Sequence, residues 1–155
     1  MKMPIYAYGQ PVLKKEAADI DKNYPDLKKL ISDMWETMYH ANGVGLAAPQ
    51  VGLSIRLFLV DTIQMKDKEK AADGIKQVFI NAEILDETDE FCSYEEGCLS
   101  IPDINGEVER PDGITIRYFD EEFREYTQTF TGINARVIQH EYDHIDGILF
   151  IEYLK

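Results

Sequence analysis

The chain has 155 residues, with 16 Lys+Arg against 29 Asp+Glu and a formal net charge of −13 at pH 7. That length fits one domain, residues 1–155, with a core of its own, and 45% hydrophobic with 11% aromatic residues is a globular rather than a disordered composition. The acidic balance argues against nucleic acid as a partner, because binding phosphates needs a basic patch that releases counterions. No run approaches the ~18 apolar residues of a membrane span, and Met1 to Tyr6 has no apolar stretch typical of a secretory signal. Two cysteines, Cys92 and Cys98, make no disulfide framework, so a reducing, cytoplasmic setting is expected.

Tyr24 to Asn42 reads as an amphipathic helix, with Leu27, Leu30, Ile31, Met34 and Met38 at helical spacing, Pro25 in its first turn and Asn42-Gly43 as its stop. Ile55 to Asp61 reads as a buried strand. Thr62 to Gly74 is a polar insertion, expected as an exposed loop. Gln77 to Leu85 reads as another strand. Ile114–Tyr118 and Tyr126–Phe130 alternate around an acidic turn and predict a hairpin. From Thr131 the period changes, and Ile133, Val137, His140 and His144 fall on one helical face. Strands between two terminal helices make an α+β fold: mixed or antiparallel strands around a central C-terminal helix that carries the metal-binding residues.

That last helix contains His140-Glu141-Tyr142-Asp143-His144, an H-E-x-x-H pattern. Histidines four apart stand one turn above each other, about 5–6 Å between Cβ atoms, which lets two imidazoles share one metal. The intervening glutamate then reaches a water on that metal rather than the metal itself. A catalytic site wants a third protein ligand. In the extended form of the motif a histidine would stand six residues after the second, but Phe150 occupies that place, although Gly147 fits. The third ligand is therefore expected upstream. Cys98, in Glu96-Gly97-Cys98-Leu99-Ser100, is the natural choice as a soft anionic donor, with Cys92 as its competitor. Glu96 is expected to pair with Arg110 and hold the cysteine segment in place. His40, near the end of the first helix, is expected to have no catalytic role.

A third segment, Gly43-Val44-Gly45-Leu46-Ala47-Ala48-Pro49-Gln50, strips side chains from a loop so that a ligand backbone can lie close. It lacks the spacing of a phosphate-binding loop. Gln50 offers an amide donor for a developing oxyanion.

Together the three segments resemble the signature motifs of the peptide deformylases, G-h-G-h-A-A-x-Q, E-G-C-h-S and H-E-h-D-H with h hydrophobic, in the same order and over essentially the whole chain. The resemblance implies a metal-dependent hydrolase that removes the N-formyl group from the initiator methionine of nascent polypeptides and releases formate. By motif match, Cys98, His140 and His144 hold the metal, and Glu141 is the general base and acid. Gln50 and the backbone N–H of Leu99 are the oxyanion donors, and Gly45 is a backbone anchor for substrate. Fe²⁺ is the implied ion in vivo, with Zn²⁺, Ni²⁺ or Co²⁺ able to substitute. The implied partners are N-formyl-methionyl peptides and, transiently, the ribosome, with no nucleic acid and no membrane. With so few residues after Phe150, the longer C-terminal helix of some bacterial members is not expected.

An apolar pocket for the methionine side chain is expected from Val44, Ile133 and Val137. Arg136, where many relatives carry an aliphatic residue, is expected at the rim of that pocket. The rival reading is a general H-E-x-x-H metallopeptidase, which cleavage of internal peptide bonds would distinguish.

Overall fold

Strand β2 (Leu57–Asp61) is buried along its whole length, and the two faces of this one strand organise the molecule. Side chains alternate across a strand, so Phe58 and Val60 enter one apolar cluster while Leu57 and Leu59 enter another. The first cluster contains Ala135, Val137, Ile138 and Ile145 of the C-terminal helix α2 (Gly132–Ile145). The second contains Leu27, Ile31, Met34 and Met38 of the N-terminal helix α1 (Leu27–His40). A sheet between two helices results. The computed structural model describes residues 2–6, 9–63, 74–98 and 100–149, by backbone alone at 94, 95, 97 and 101–105.

Five strands form the main sheet in the order β1-β2-β3-β6-β7, every neighbouring pair antiparallel. Besides β2 they are β1 (Gly45–Ala47), β3 (Lys76–Glu87), β6 (Gly113–Phe119) and β7 (Glu125–Thr131). On the α2 side, Phe58 stacks on Phe79 at 4.8 Å, and Phe79 meets Tyr118 at 4.5 Å and Phe130 at 6.1 Å. This aromatic row runs across β2, β3, β6 and β7 and supplies the large buried area that core strands need. The remaining strands, β4 (Phe91–Cys98) and β5 (Ile101–Pro111), pair with each other as a separate two-stranded sheet.

Both helices stop in the same way. After α1, Asn42 takes a left-handed φ of 60°, its N–H donates to the Tyr39 carbonyl, and the Gly43 N–H donates to that of Met38. After α2, Gly147 has φ 77°, and the N–H groups of Gly147 and Ile148 donate to the carbonyls of His144 and Asp143. These are Schellman closures. Asn42, not Gly43, is the left-handed residue in the first. Gly147 is required in the second, since a Cβ there would lie 2.6 Å from the Lys14 carbonyl oxygen.

Most elements lie where the sequence pattern predicts them, with some bounds shifted. Helix α1 begins at Leu27 rather than Tyr24, because Asp26 adopts a left-handed φ of 54° just before it. The predicted hairpin is β6–β7. Of the polar insertion between Thr62 and Gly74, residues 64–73 lie outside the described residues. The β4–β5 hairpin was not resolved from the sequence as a pair of strands. No described helix is long and apolar enough to cross a membrane.

Candidate metal centre

Helix α2 projects His140 and His144 from one face, ring centroids 5.2 Å apart, as two positions four apart on a helix must. Hairpin strand β4 delivers Cys98 to the same point. Its Sγ lies 3.3 Å from His144 Nε2, and one ligand atom from each of Cys98, His140 and His144 lies within 4.8 Å of the others. Cys92 is engaged elsewhere, against Arg136, so of the two cysteines it is Cys98 that joins the histidines.

The donor set fits a divalent ion. Two imidazoles and a thiol suit a borderline-soft cation, and the 3.3 Å separation of sulfur and nitrogen is close to the edge of a tetrahedron with bonds of about 2.0 and 2.3 Å. His140 Nδ1 donates to Glu96 Oε1 at 2.9 Å, which fixes the tautomer and leaves Nε2 as the ligating nitrogen. Burial alone would depress His140, but the Cys98 sulfur and the Glu96 carboxylate raise it to about 10. His144 is held well below its ordinary value by burial and by the neighbouring His140.

Glu96 is the hub behind the histidines, 7% exposed. Arg110 grips it with two parallel bonds, Nε to Oε2 at 2.7 Å and an Nη2 donor to Oε1 at 2.9 Å. The same guanidinium donates to Asp143 Oδ2 at 2.6 Å. Burial pushes the Glu96 carboxyl up, but the bonds from His140 and Arg110 outweigh it and hold the group well below the usual carboxylate range. The expected Glu96–Arg110 pair is thus present, and Asp143, to which the sequence reading gave no role, completes it from α2.

Arg136 is not at a pocket rim. It is 4% exposed and donates to Glu96 Oε2 at 2.6 Å, to the Val108 carbonyl at 2.9 Å and to the Cys92 carbonyl at 2.6 Å. Standing one turn before His140, it turns toward the β4–β5 hairpin and away from solvent. Val44, Ile133 and Val137 do share one apolar cluster, in which Val137 is nearly fully buried while Val44 and Ile133 are partly exposed.

Gln50 is 1% exposed, and its orientation is set by the backbone. Its Oε1 accepts from the Ala47 N–H at 3.0 Å, which turns the amide nitrogen toward Ser100 Oγ at 3.2 Å and Cys98 Sγ at 3.5 Å. Ser100 lies in a motif noted in the sequence but was given no role. Leu99 lies outside the described residues. His40 sits at the end of α1, beside the Lys2 amine at 3.1 Å, apart from this cluster.

Glu141 is buried beside the donors. Burial raises its carboxyl to about 7, against the opposing pull of His140, and Oε1 has no hydrogen-bond partner among the described residues. Its Oε2 lies where a side chain on Gly45 would begin, 2.6 Å from an ideal Cβ at that position. A buried carboxyl beside a donor set able to hold a divalent ion is the arrangement that metal-dependent hydrolases use.

Comparison with known proteins narrows that class. The family described as Polypeptide deformylase matches residues 2–155, and the chain belongs to it. A peptide deformylase of Christiangramia forsetii is 53% identical, across 100% of this chain and 83% of the relative. The crystal structure of the Thermotoga maritima peptide deformylase superposes with a TM-score of 0.89 at 41% identity, covering 100% of this chain and 99% of that one. A Met-Ala-Ser-bound structure of a class I type b peptide deformylase from Acinetobacter baumannii gives 0.90 at 37% identity, covering 99% of each chain. Members of this family are metal-dependent hydrolases that remove the N-formyl group from nascent peptides, and this chain is one.

Proposed function

We propose that Cys98, His140 and His144 hold the ion and that Glu141 moves the proton during deformylation of N-formyl-methionyl peptides. The convergence of a hairpin thiol on a helical histidine pair carries this reading. When bound, a divalent ion supplies Lewis acidity and lowers the pKa of a coordinated water. Glu141, near neutrality and shielded from bulk solvent, accepts the proton of the attacking water and returns it to the departing amine, which gains its proton as the C–N bond breaks and formate leaves.

Gln50 stabilises the negative charge that builds on the formyl oxygen. Its amide nitrogen is pre-aimed by the Ala47 backbone, and such fixed donors need no reorganisation during reaction. The Leu99 N–H is the second donor on the family resemblance. Strand β1 pairs with β2 on one side only among the described strands, so the substrate backbone adds along its other edge at Gly45. Val44, Ile133 and Val137 are the walls offered to the methionine side chain, in keeping with their shared apolar cluster. Fe²⁺ is the proposed ion in vivo, with Zn²⁺, Ni²⁺ or Co²⁺ as substitutes. A cytoplasmic location and transient contact with the ribosome go with a nascent-chain substrate.

Formate release from formyl-Met-Ala-Ser, with and without chelator, tests the reading for wild type and Glu141→Ala. The expected outcome is loss of activity on chelation and a fall of about 10²–10⁴ in the variant, the usual contribution of a positioned acid–base group. Turnover that survives either treatment would refute it.

A further inference from the structure

The metal ligands belong to two bodies that share no backbone ladder. His140 and His144 ride on α2, while Cys98 ends β4, and among the described strands β4 pairs only with β5. Hydrogen bonding of the main sheet therefore does not fix how far the sulfur stands from the imidazoles. Among the described residues, the buried cluster under the hairpin, Leu13, Val108 and Leu149 with Val12 and Cys98 against it, contains no residue of α2. Polar side chains do cross from helix to hairpin: Arg110 of β5 donates to Asp143, Gln139 donates to the Pro111 carbonyl, and Arg136 alone reaches both β4 and β5 among these.

We propose that Arg136 is the positioning residue that sets how far the sulfur stands from the imidazoles. One buried guanidinium reaches the Cys92 carbonyl on β4, the Val108 carbonyl on β5 and the Glu96 carboxylate two residues before Cys98. Glu96 in turn accepts from His140, one helical turn after Arg136. Arg136 and His140 thus grip opposite oxygens of one carboxylate, Oε2 and Oε1, and a single rigid fork ties α2 to both hairpin strands. Arginine suits this task because its planar donors meet several acceptors at fixed angles, whereas an ammonium is one point charge on a flexible stem. Stability does not account for a cation here, since burying an ion pair is often no better than packing an apolar side chain of similar volume. Arg136 acts through Glu96 and β4. The inference rests on the ligand assignment proposed above.

Charge and position predict opposite outcomes for the same substitution. Removing a cation close to a bound cation would, by Coulomb's law alone, tighten metal binding. Removing a clamp loosens it. The test uses the Co²⁺-loaded enzyme as wild type, Arg136→Met and Arg136→Lys. It reads the thiolate-to-cobalt absorption band, the rate of Co²⁺ release to a chelator, and kcat and KM for formyl-Met-Ala-Ser. Arg136→Met is expected to weaken or shift the band, to release Co²⁺ at least about 10-fold faster, in the range seen for groups that orient metal ligands, and to lower kcat with KM nearly unchanged. Arg136→Lys keeps the charge and most of the bulk but not the fork, and is expected to release Co²⁺ several-fold faster than wild type. A lysine variant with the wild-type band and release rate overturns the proposal, whether or not Arg136→Met folds. Slower release from Arg136→Met overturns it too. Absence of a thiolate–cobalt band in wild type would instead remove Cys98 from the ligand set, and the clamp with it.

Discussion

The Glu141 carboxylate occupies the space that a side chain at position 45 would need: a Cβ on Gly45 would stand 2.6 Å from Oε2, 2.8 Å from Cγ and 2.9 Å from Cδ. The glycine in β1 thus has a role besides the proposed one of admitting a substrate backbone. It lets Glu141 of α2, the proposed proton-transferring group, lie against the strand along which the substrate is proposed to bind. Gly45→Ala is expected to push Glu141 aside and lower kcat by about 10², the scale of a misplaced reacting group. The cobalt spectrum should stay as in wild type, because no ligand is touched. Unchanged kcat in that variant would show that the carboxylate is free to sit elsewhere.

Gln50 provides a second test of the same cleft. Its carbonyl oxygen is tied to the Ala47 N–H and its nitrogen faces Ser100 and Cys98. Gln50→Ala is expected to reduce kcat by about 10²–10³ with a small change in KM, as for loss of one oxyanion donor. A KM effect alone would assign Gln50 to substrate binding.

Glu96 makes the acid limb of stability predictable. Its folded carboxyl is held well below the usual range, burial opposing and His140 and Arg110 prevailing, whereas in the unfolded chain a glutamate titrates near about 4.3. A depressed folded value gives stability that is fully present above the unfolded value and is lost as pH falls toward the folded one. One proton taken up on unfolding corresponds to about 1.4 kcal/mol per pH unit. Urea unfolding of the chelated protein between pH 5 and 3 should show this slope in wild type. It should be flatter by about one proton in Glu96→Gln, and equal slopes would remove Glu96 as the cause.

Phe79 tests the core that holds α2 in place. It is fully buried and meets Phe58, Tyr118 and Phe130. Phe79→Ala should cost about 3–5 kcal/mol through lost burial and the cavity left behind. Calorimetry or urea unfolding would measure it, and a cost below about 1 kcal/mol would mean that the row collapses to fill the space.

The histidine pair, the glutamate between them and a buried strand over Ile55 to Asp61 were legible in the chain, because each is a pattern within one element. Helical period places His140 and His144 together, and alternation sends Phe58 and Leu59 to opposite clusters, whatever the rest of the fold does. The β4–β5 hairpin was harder to read. Phe91–Cys98 and Ile101–Pro111 carry acids, glycines and prolines in place of an apolar alternation. Arg136 was misplaced for a related reason. Helical spacing shows that it lies one turn from His140, but not which body covers that face.

By itself, then, the sequence determined which atoms could bind an ion and which of them lie on a common helix, since local spacing and donor chemistry are properties of the covalent chain. The tertiary structure decided that Cys98 and not Cys92 meets the histidines, that Arg136 faces inward onto Glu96, and that Gly45 makes room for Glu141. Each of these is a distance between elements far apart in sequence. Such distances depend on how two surfaces pack, and neither surface encodes that alone.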